Sequence, residues 1–283
     1  MSNWDRWIGR SFEQEDRLTP AALARFRATI DSAETGETAA QAIHWCLCLP
    51  DAPTAALGAD GHPLRVDAEG SFMPPIALPR RMWAASDVSF LAPIRAGASV
   101  IRRSTIATIR EKRGGSGELV FVEVDHDTLA DGVTAVRERQ TIVFREAAAA
   151  GALPASPASA PAAEAPDLSD WTWQRTIVPT EAMLFRYSAL TFNSHRIHYD
   201  RPYATEAEGY RGLVVHGPLT ATLLLDLAQR ELGANALAAF TMRAQAPAFA
   251  GEPLYLVGRP AEDGWALAAI GPDGGTIMAA SAR

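Results

Sequence analysis

Apolar positions recur along this chain with two periods, one helical and one extended. The stretch Pro218 to Leu232, PLTATLLLDLAQREL, has only Thr220 and Thr222 as polar groups before Asp226. A surface helix would carry a charged face, so this segment predicts a helix enclosed by protein on most sides. Gly217-Pro218 supplies its start and Gly233 its stop. At about 1.5 Å per residue it spans roughly 22 Å, short of a bilayer, so it belongs in a domain core. Two shorter helices are predicted, one over Pro20 to Ile30 behind the Thr19 cap and one from Thr180 to about Leu190. Alternating β-rich runs at Ala98 to Arg110, Glu118 to Asp125 and Ala135 to Arg145, separated by Gly-rich or Asp-Gly turns, predict an antiparallel sheet. Trp171 to Val178 and the chain from Ala239 onward are β-rich in the same way. Ser11 to Leu18 reads as polar chain, residues 36–49 leave helix and strand both open, and prolines at 50, 53, 63, 74, 75 and 79 make that region irregular.

The order of elements then repeats. Ala-Pro-x-x-Ala-Gly occurs at Ala92 to Gly97 and at Ala246 to Gly251, and Ile43-His44-Trp45 matches Ile197-His198-Tyr199; both pairs are offset by 154 residues. One such match is unremarkable, whereas a shared offset points to an internal duplication. Between the copies, residues 147–168 are rich in Ala and Pro and lack the large apolar side chains a core needs. The expected organisation is therefore an N-terminal unit over 1–146, a linker over 147–168 and a C-terminal unit over 169–283. Prolines 74, 75 and 79 and Gly70 forbid a long helix in the first copy where the second carries Pro218 to Leu232.

Length and charge narrow the classes. The 283 residues are 48% apolar with a formal net charge of −7, which permits a large core and excludes a general nucleic-acid binder. Cys46 and Cys48, one residue apart, form neither a disulfide framework nor a usual metal spacing. With no signal-peptide core at the N-terminus and no run of 18 apolar residues, a cytoplasmic protein without a membrane partner is expected.

Candidate chemistry gathers at Thr191 to Pro218, TFNSHRIHYDRPYATEAEGYRGLVVHGP, which holds three of the six histidines just before the apolar helix. Protonatable side chains at a helix start suit a reaction that builds negative charge on oxygen, because the first amides of a helix have no internal acceptor. A metal pair at His195-x-x-His198 lacks a third ligand at regular spacing. Arg80, Arg81, Arg196 and Arg201 are candidate partners for a carboxylate or a phosphate, since guanidinium binds both through two parallel hydrogen bonds.

FNSHRIHYD followed by VVHGP resembles the MaoC-like hydratases and dehydratases of the hotdog superfamily. The set HWCL (44–47), LGADGHP (57–63), LPRRMWA (78–84) and FNSHRIHYD, in that order, is similar to the two-hotdog branch of mesaconyl-CoA hydratases and mitochondrial-type 3-hydroxyacyl thioester dehydratases. The resemblance implies an α+β double hotdog, two antiparallel sheets each associated with a helix, with the N-terminal repeat lacking a complete central helix. It also implies reversible addition of water to an α,β-enoyl thioester, here a short dicarboxylic or branched acyl-CoA, with no metal or redox cofactor. By position, His198 matches the family's catalytic histidine, Asn193 its catalytic aspartate and Gly217 the backbone N–H that meets the thioester carbonyl; His195, Arg196, Tyr199 and His216 are expected substrate contacts. Asn193 departs from the family pattern, since an amide neither gives nor takes a proton near neutral pH. The competing readings are dehydration of a 3-hydroxyacyl chain on acyl carrier protein and a non-catalytic acyl-thioester-binding module. Two hotdogs in one chain form a pseudo-dimer, and a homo-oligomer of whole chains is compatible with that.

Overall fold

Both threonine caps start a helix in the computed structural model of the protein, which describes residues 4–65, 71–114, 117–146 and 165–283. Thr19 accepts the Ala22 N–H at the start of α1 (Pro20–Ile30), and Thr180 accepts the Met183 N–H at the start of α2 (Glu181–Thr191). The apolar helix α3 (Gly217–Leu232) has ten consecutive buried residues, Leu219 to Ala228. Its one buried charge, Asp226, is held by Arg175 and by Arg230, four residues on and 2.7 Å away.

Ten strands make one sheet. They are β1 (Ser11–Arg17), β2 (Arg80–Phe90), β3 (Ser99–Gly114), β4 (Gly117–Ala130), β5 (Val133–Arg145), β6 (Trp173–Ile177), β7 (Ala239–Ala244), β8 (Leu254–Ala261), β9 (Gly264–Ile270) and β10 (Thr276–Ala282). The spatial order is β1-β3-β4-β5-β2-β7-β10-β9-β8-β6, and every pairing is antiparallel. Read outward from the β2–β7 seam, each half has the same order: the second half is β7-β10-β9-β8-β6 where the first is β2-β5-β4-β3-β1. The duplication detected by the 154-residue offset is thus also a duplication of topology. At the seam Ala85 pairs with Arg243 and Val88 with Phe240, and Val88 and Phe240 are both buried.

A single apolar core runs through both halves, taking in Phe26 and Ile30 of α1, Leu184 and Tyr187 of α2, and Leu219, Leu223 and Leu224 of α3. A second cluster around Trp7, Ile106, Val122 and Phe144 serves the first half alone. The 154-residue offset pairs α3 with positions 63–78, where the described residues form no helix; earlier in the first half the chain makes a 3-10 turn at Ile43–Cys46 and another at Thr54–Ala56. The open reading of residues 36–49 resolves as that first turn. Two strands were not foreseen. Ser11–Arg17 is a nearly fully exposed edge strand paired with β3, so its polar face hid it, and Arg80–Phe90 is the seam strand. The expected linker lies mostly outside the described residues. No helix of the described residues is long and apolar enough to cross a membrane. Cys46 and Cys48 are free thiols, and burial pushes Cys46 up to about 12.

Candidate active site

The central stretch leaves α2 through Phe192, in the left-handed conformation, and turns at once. Asn193 makes the turn: its Oδ1 accepts the His195 N–H at 2.9 Å, leaving its side-chain N–H2 without a partner among the described residues. A 3-10 turn, Arg196–His198, then sets His198 inside the protein, 7% exposed. Its Nδ1 lies 2.7 Å from the Val214 carbonyl oxygen. A carbonyl only accepts, so Nδ1 carries the proton and Nε2 keeps the lone pair. Nε2 has no partner among the described residues and, unlike Nε2 of His44, is not sealed from solvent. Burial, outweighing that backbone hydrogen bond, lowers the His198 pKa to about 4, so at neutral pH the ring is a neutral base.

His198 is one of a row of four imidazoles. It stacks on His216 with ring centroids 3.6 Å apart and an 18° tilt, and it stands edge-on to His195 at 5.4 Å. His195 in turn faces His62 at 4.1 Å. His216 caps the start of α3, lies 2.9 Å through Nε2 from the Ser188 hydroxyl, and has a sealed Nδ1. The stack therefore sets His198 over the residue immediately before Gly217. The Gly217 N–H, first in α3, has no acceptor among the described residues, and a Cβ there would only touch Trp83 at 3.5 Å.

The His62 end of the row comes from the other half of the chain. Asp60 accepts the His62 backbone N–H at 3.0 Å and holds Nδ1 of its ring at 3.0 Å. Burial lowers the His62 pKa, and the hydrogen bonds from His62 hold the Asp60 carboxyl far below the usual range. The loop is fixed against the central stretch by three contacts: Ser194 Oγ donates to the Gly61 carbonyl at 2.6 Å, Arg196 N to the Asp60 carbonyl at 2.9 Å and Arg196 Nη1 to the Ala59 carbonyl at 3.0 Å. Only glycine fits at 61, where φ is +86° and a Cβ would lie 1.9 Å from the Ser194 carbonyl oxygen. A cavity of about 80 Å³ opens beside His62, bounded by Asp60, Arg65, Pro79 and Arg81. Donor atoms of Asp60, His62 and His195 lie within 4.8 Å of one another, a set with the chemistry to hold a divalent cation.

Of the expected site residues, the structure brings His195, His198, His216 and Gly217 together and puts Asn193 at the turn that leads in. Arg196 is occupied elsewhere, with Nε 2.9 Å from Asp200 and its guanidinium over the Tyr203 ring, and Tyr199 is 49% exposed. Asp60 and His62 were missed. The signal existed in the 154-residue offset, which pairs His62 with His216.

A model of the family described as hydroxyacyl-thioester dehydratase type 2 matches residues 7–250. Mesaconyl-C(4)-CoA hydratase of Chloroflexus aurantiacus is 42% identical over 285 residues, covering 99% of this chain and 97% of that protein. The mitochondrial hydroxyacyl-thioester dehydratase type 2 of Schizosaccharomyces pombe is 43% identical over 81 residues, 28% of this chain and 27% of its own. Among solved structures, HtdX of Mycobacterium tuberculosis superposes with a TM-score of 0.69 at 18% identity, covering 97% of this chain and 99% of its own. Another Mycobacterium tuberculosis protein, described as having a double hotdog fold, superposes with a TM-score of 0.58 at 14% identity over 97% of this chain and 95% of its own. The fold is accordingly the double hotdog.

Proposed function

This chain belongs to the hydroxyacyl-thioester dehydratase type 2 family, and on that premise we propose how its own residues add water to an α,β-enoyl-CoA and remove it again. The protein is a hydro-lyase. Water must lose a proton as it attacks Cβ, Cα must gain one, and the thioester oxygen must carry charge in between. His198 takes the first proton on Nε2 and delivers it to Cα, so that one imidazole begins and ends the cycle neutral. The Gly217 N–H, backed by the dipole of α3, donates to the thioester oxygen; one such donor is typically worth about 3 to 4 kcal/mol in the transition state. Asn193 orients the attacking water through its free amide N–H2, its oxygen being held in the turn. None of these steps needs a metal or redox cofactor. The substrate is a short acyl-CoA of the mesaconyl type, and dehydration of a 3-hydroxyacyl thioester is the same reaction run backward. The partner in this reading is the acyl-CoA, with no nucleic acid or membrane, and a cytoplasmic location is proposed with it.

The observation that supports these roles best is the tautomer of His198, whose only proton is committed to Val214 and whose basic nitrogen is free. Steady-state hydration of crotonyl-CoA and mesaconyl-CoA, followed by loss of enoyl absorbance, tests it. His198→Ala should lower kcat/KM by about 100-fold or more, and a fall of less than about tenfold would remove His198 from the principal acid–base role.

A further inference from the structure

Of the four arginines that sequence marks as anion partners, three are already paired. Arg80 holds Glu208 with Nε 3.0 Å from a carboxylate oxygen, Arg196 holds Asp200 at 2.7 Å and Arg201 holds Glu181 at 2.7 Å. Arg81 has no ion pair and no hydrogen bond among the described residues. It is half-buried on β2, alternating with Arg80 and so directed to the other face, and its side chain lines the 80 Å³ cavity beside His62. Arg65 lines the same cavity; one of its N–H groups donates to the Leu78 carbonyl at 3.1 Å and its guanidinium lies over the Phe144 ring, and no carboxylate pairs with it among the described residues. Asp60 is the one acid among the lining residues, and His62 engages it. Among the described lining residues, two guanidinium charges face one carboxylate, an excess of one positive charge. A guanidinium withdrawn from water without a partner is costly, so this wall is built for a single anion to complete it.

We propose that this cavity takes the free carboxylate at the far end of a dicarboxylic acyl-CoA, with Arg81 as its main contact and Arg65 as a second. The inference rests on the proposed hydratase function. The imidazole row gives the direction: with the thioester oxygen at Gly217 and Cβ beside His198, a carboxylate borne on Cβ, as in mesaconyl-CoA, points past His195 toward the wall that Arg81 and Arg65 line beside His62. The cavity is small, about 80 Å³, and the charge to be matched is one, which a single carboxylate meets through guanidinium hydrogen bonds. Arg81 and Arg65 are thus specificity residues rather than groups that act on the double bond.

Measuring kcat/KM of wild type, Arg81→Gln and Arg81→Lys on mesaconyl-CoA and crotonyl-CoA, and on the phosphate-free N-acetylcysteamine thioesters of both acids, tests this. Wild type should prefer the diacid on either carrier. Arg81→Gln should lose about 100-fold on the diacid while staying within about threefold on crotonyl esters, with Arg81→Lys recovering part of the loss, as expected for removal of one partner of a desolvated charge pair. Equal losses on both acyl groups, or a loss that vanishes on the phosphate-free thioesters, would assign Arg81 to the coenzyme and overturn the proposal. A wild type that prefers crotonyl-CoA overturns it whatever the variants do, yet leaves the hydratase reading standing. A wild type inactive on every ester overturns both.

Discussion

His198 and His44 occupy equivalent places in the two copies, and their surroundings give them different fates. Each donates through Nδ1 to a backbone carbonyl, at 2.7 Å for His198 and 3.1 Å for His44. Nε2 of His44 is sealed and faces Glu138 at 3.7 Å in a buried network with Trp45 and Ser86, whereas Nε2 of His198 opens toward the site. The spacing of His198 and Gly217 was legible because motif spacing is local; the sealing of His44 was not, because Glu138 lies 94 residues away on β5. Nor did sequence reveal that Asn193 gives its oxygen to the turn. The pH profile follows from the lowered pKa of His198. A general base works unprotonated, so in a brief pH-jump assay kcat/KM should hold through pH 6.5 and fall only near pH 4, the value that burial imposes. Fold stability runs on a different scale. His44, His198 and His216 stay neutral in the fold below pH 6.5 while the unfolded chain takes up protons there. Stability is therefore lost as pH falls below 6.5, by up to about 1.4 kcal/mol per pH unit for each such histidine. Thermal melts between pH 7 and pH 5 should show Tm declining before the jump assay loses activity. An acid limb near 6.5 in the jump assay, the ordinary value of a histidine, would show that burial does not depress the pKa of the base.

The loop at 57–63 is where sequence told least. The motif LGADGHP was visible, but its docking against the His195 turn depends on Ser194, Arg196 and a positive φ at Gly61, which no periodicity encodes. By contrast α1, α2 and α3 were legible almost to the residue, because caps and breakers mark helix ends within a few positions. Strands β1 and β2 were missed for different reasons: one is an edge with a polar face, and the other opens on two arginines, of which Arg80 pairs across the molecule with Glu208. The docked loop yields a clear test. Gly61→Ala forces a Cβ against a backbone oxygen at 1.9 Å, so the loop must lift and carry His62 and Asp60 out of the row. Hydratase activity should drop by about tenfold or more, with Tm lowered by a few degrees, as expected for about 1–3 kcal/mol of strain or lost docking contacts. Unchanged kinetics would show that the loop plays no part in catalysis.

Across the whole molecule, the sheet passes from one half to the other through β2 and β7, and the core passes with it. The halves are therefore held by ladder hydrogen bonds and buried side chains. A protease site placed within 147–168 and cut in the folded protein should leave one particle by size-exclusion chromatography and undiminished turnover. Dissociation on cutting would contradict the seam. The linker that composition predicts over 147–168 lies mostly outside the described residues, and the mirrored strand order was only hinted at by the 154-residue offset, since sequence repeats give register without saying which edges meet.

Joining the copies in one polypeptide also changes what each is free to become. In an assembly of identical subunits, any substitution appears in both partners at once, so neither can surrender chemistry without the other. Here the first half shows no helix equivalent to α3 among its described residues and has closed off its own imidazole, and one of its loops furnishes a wall for its neighbour's reaction; selectivity can then be retuned at Arg65 and Arg81 without altering the residues that move protons.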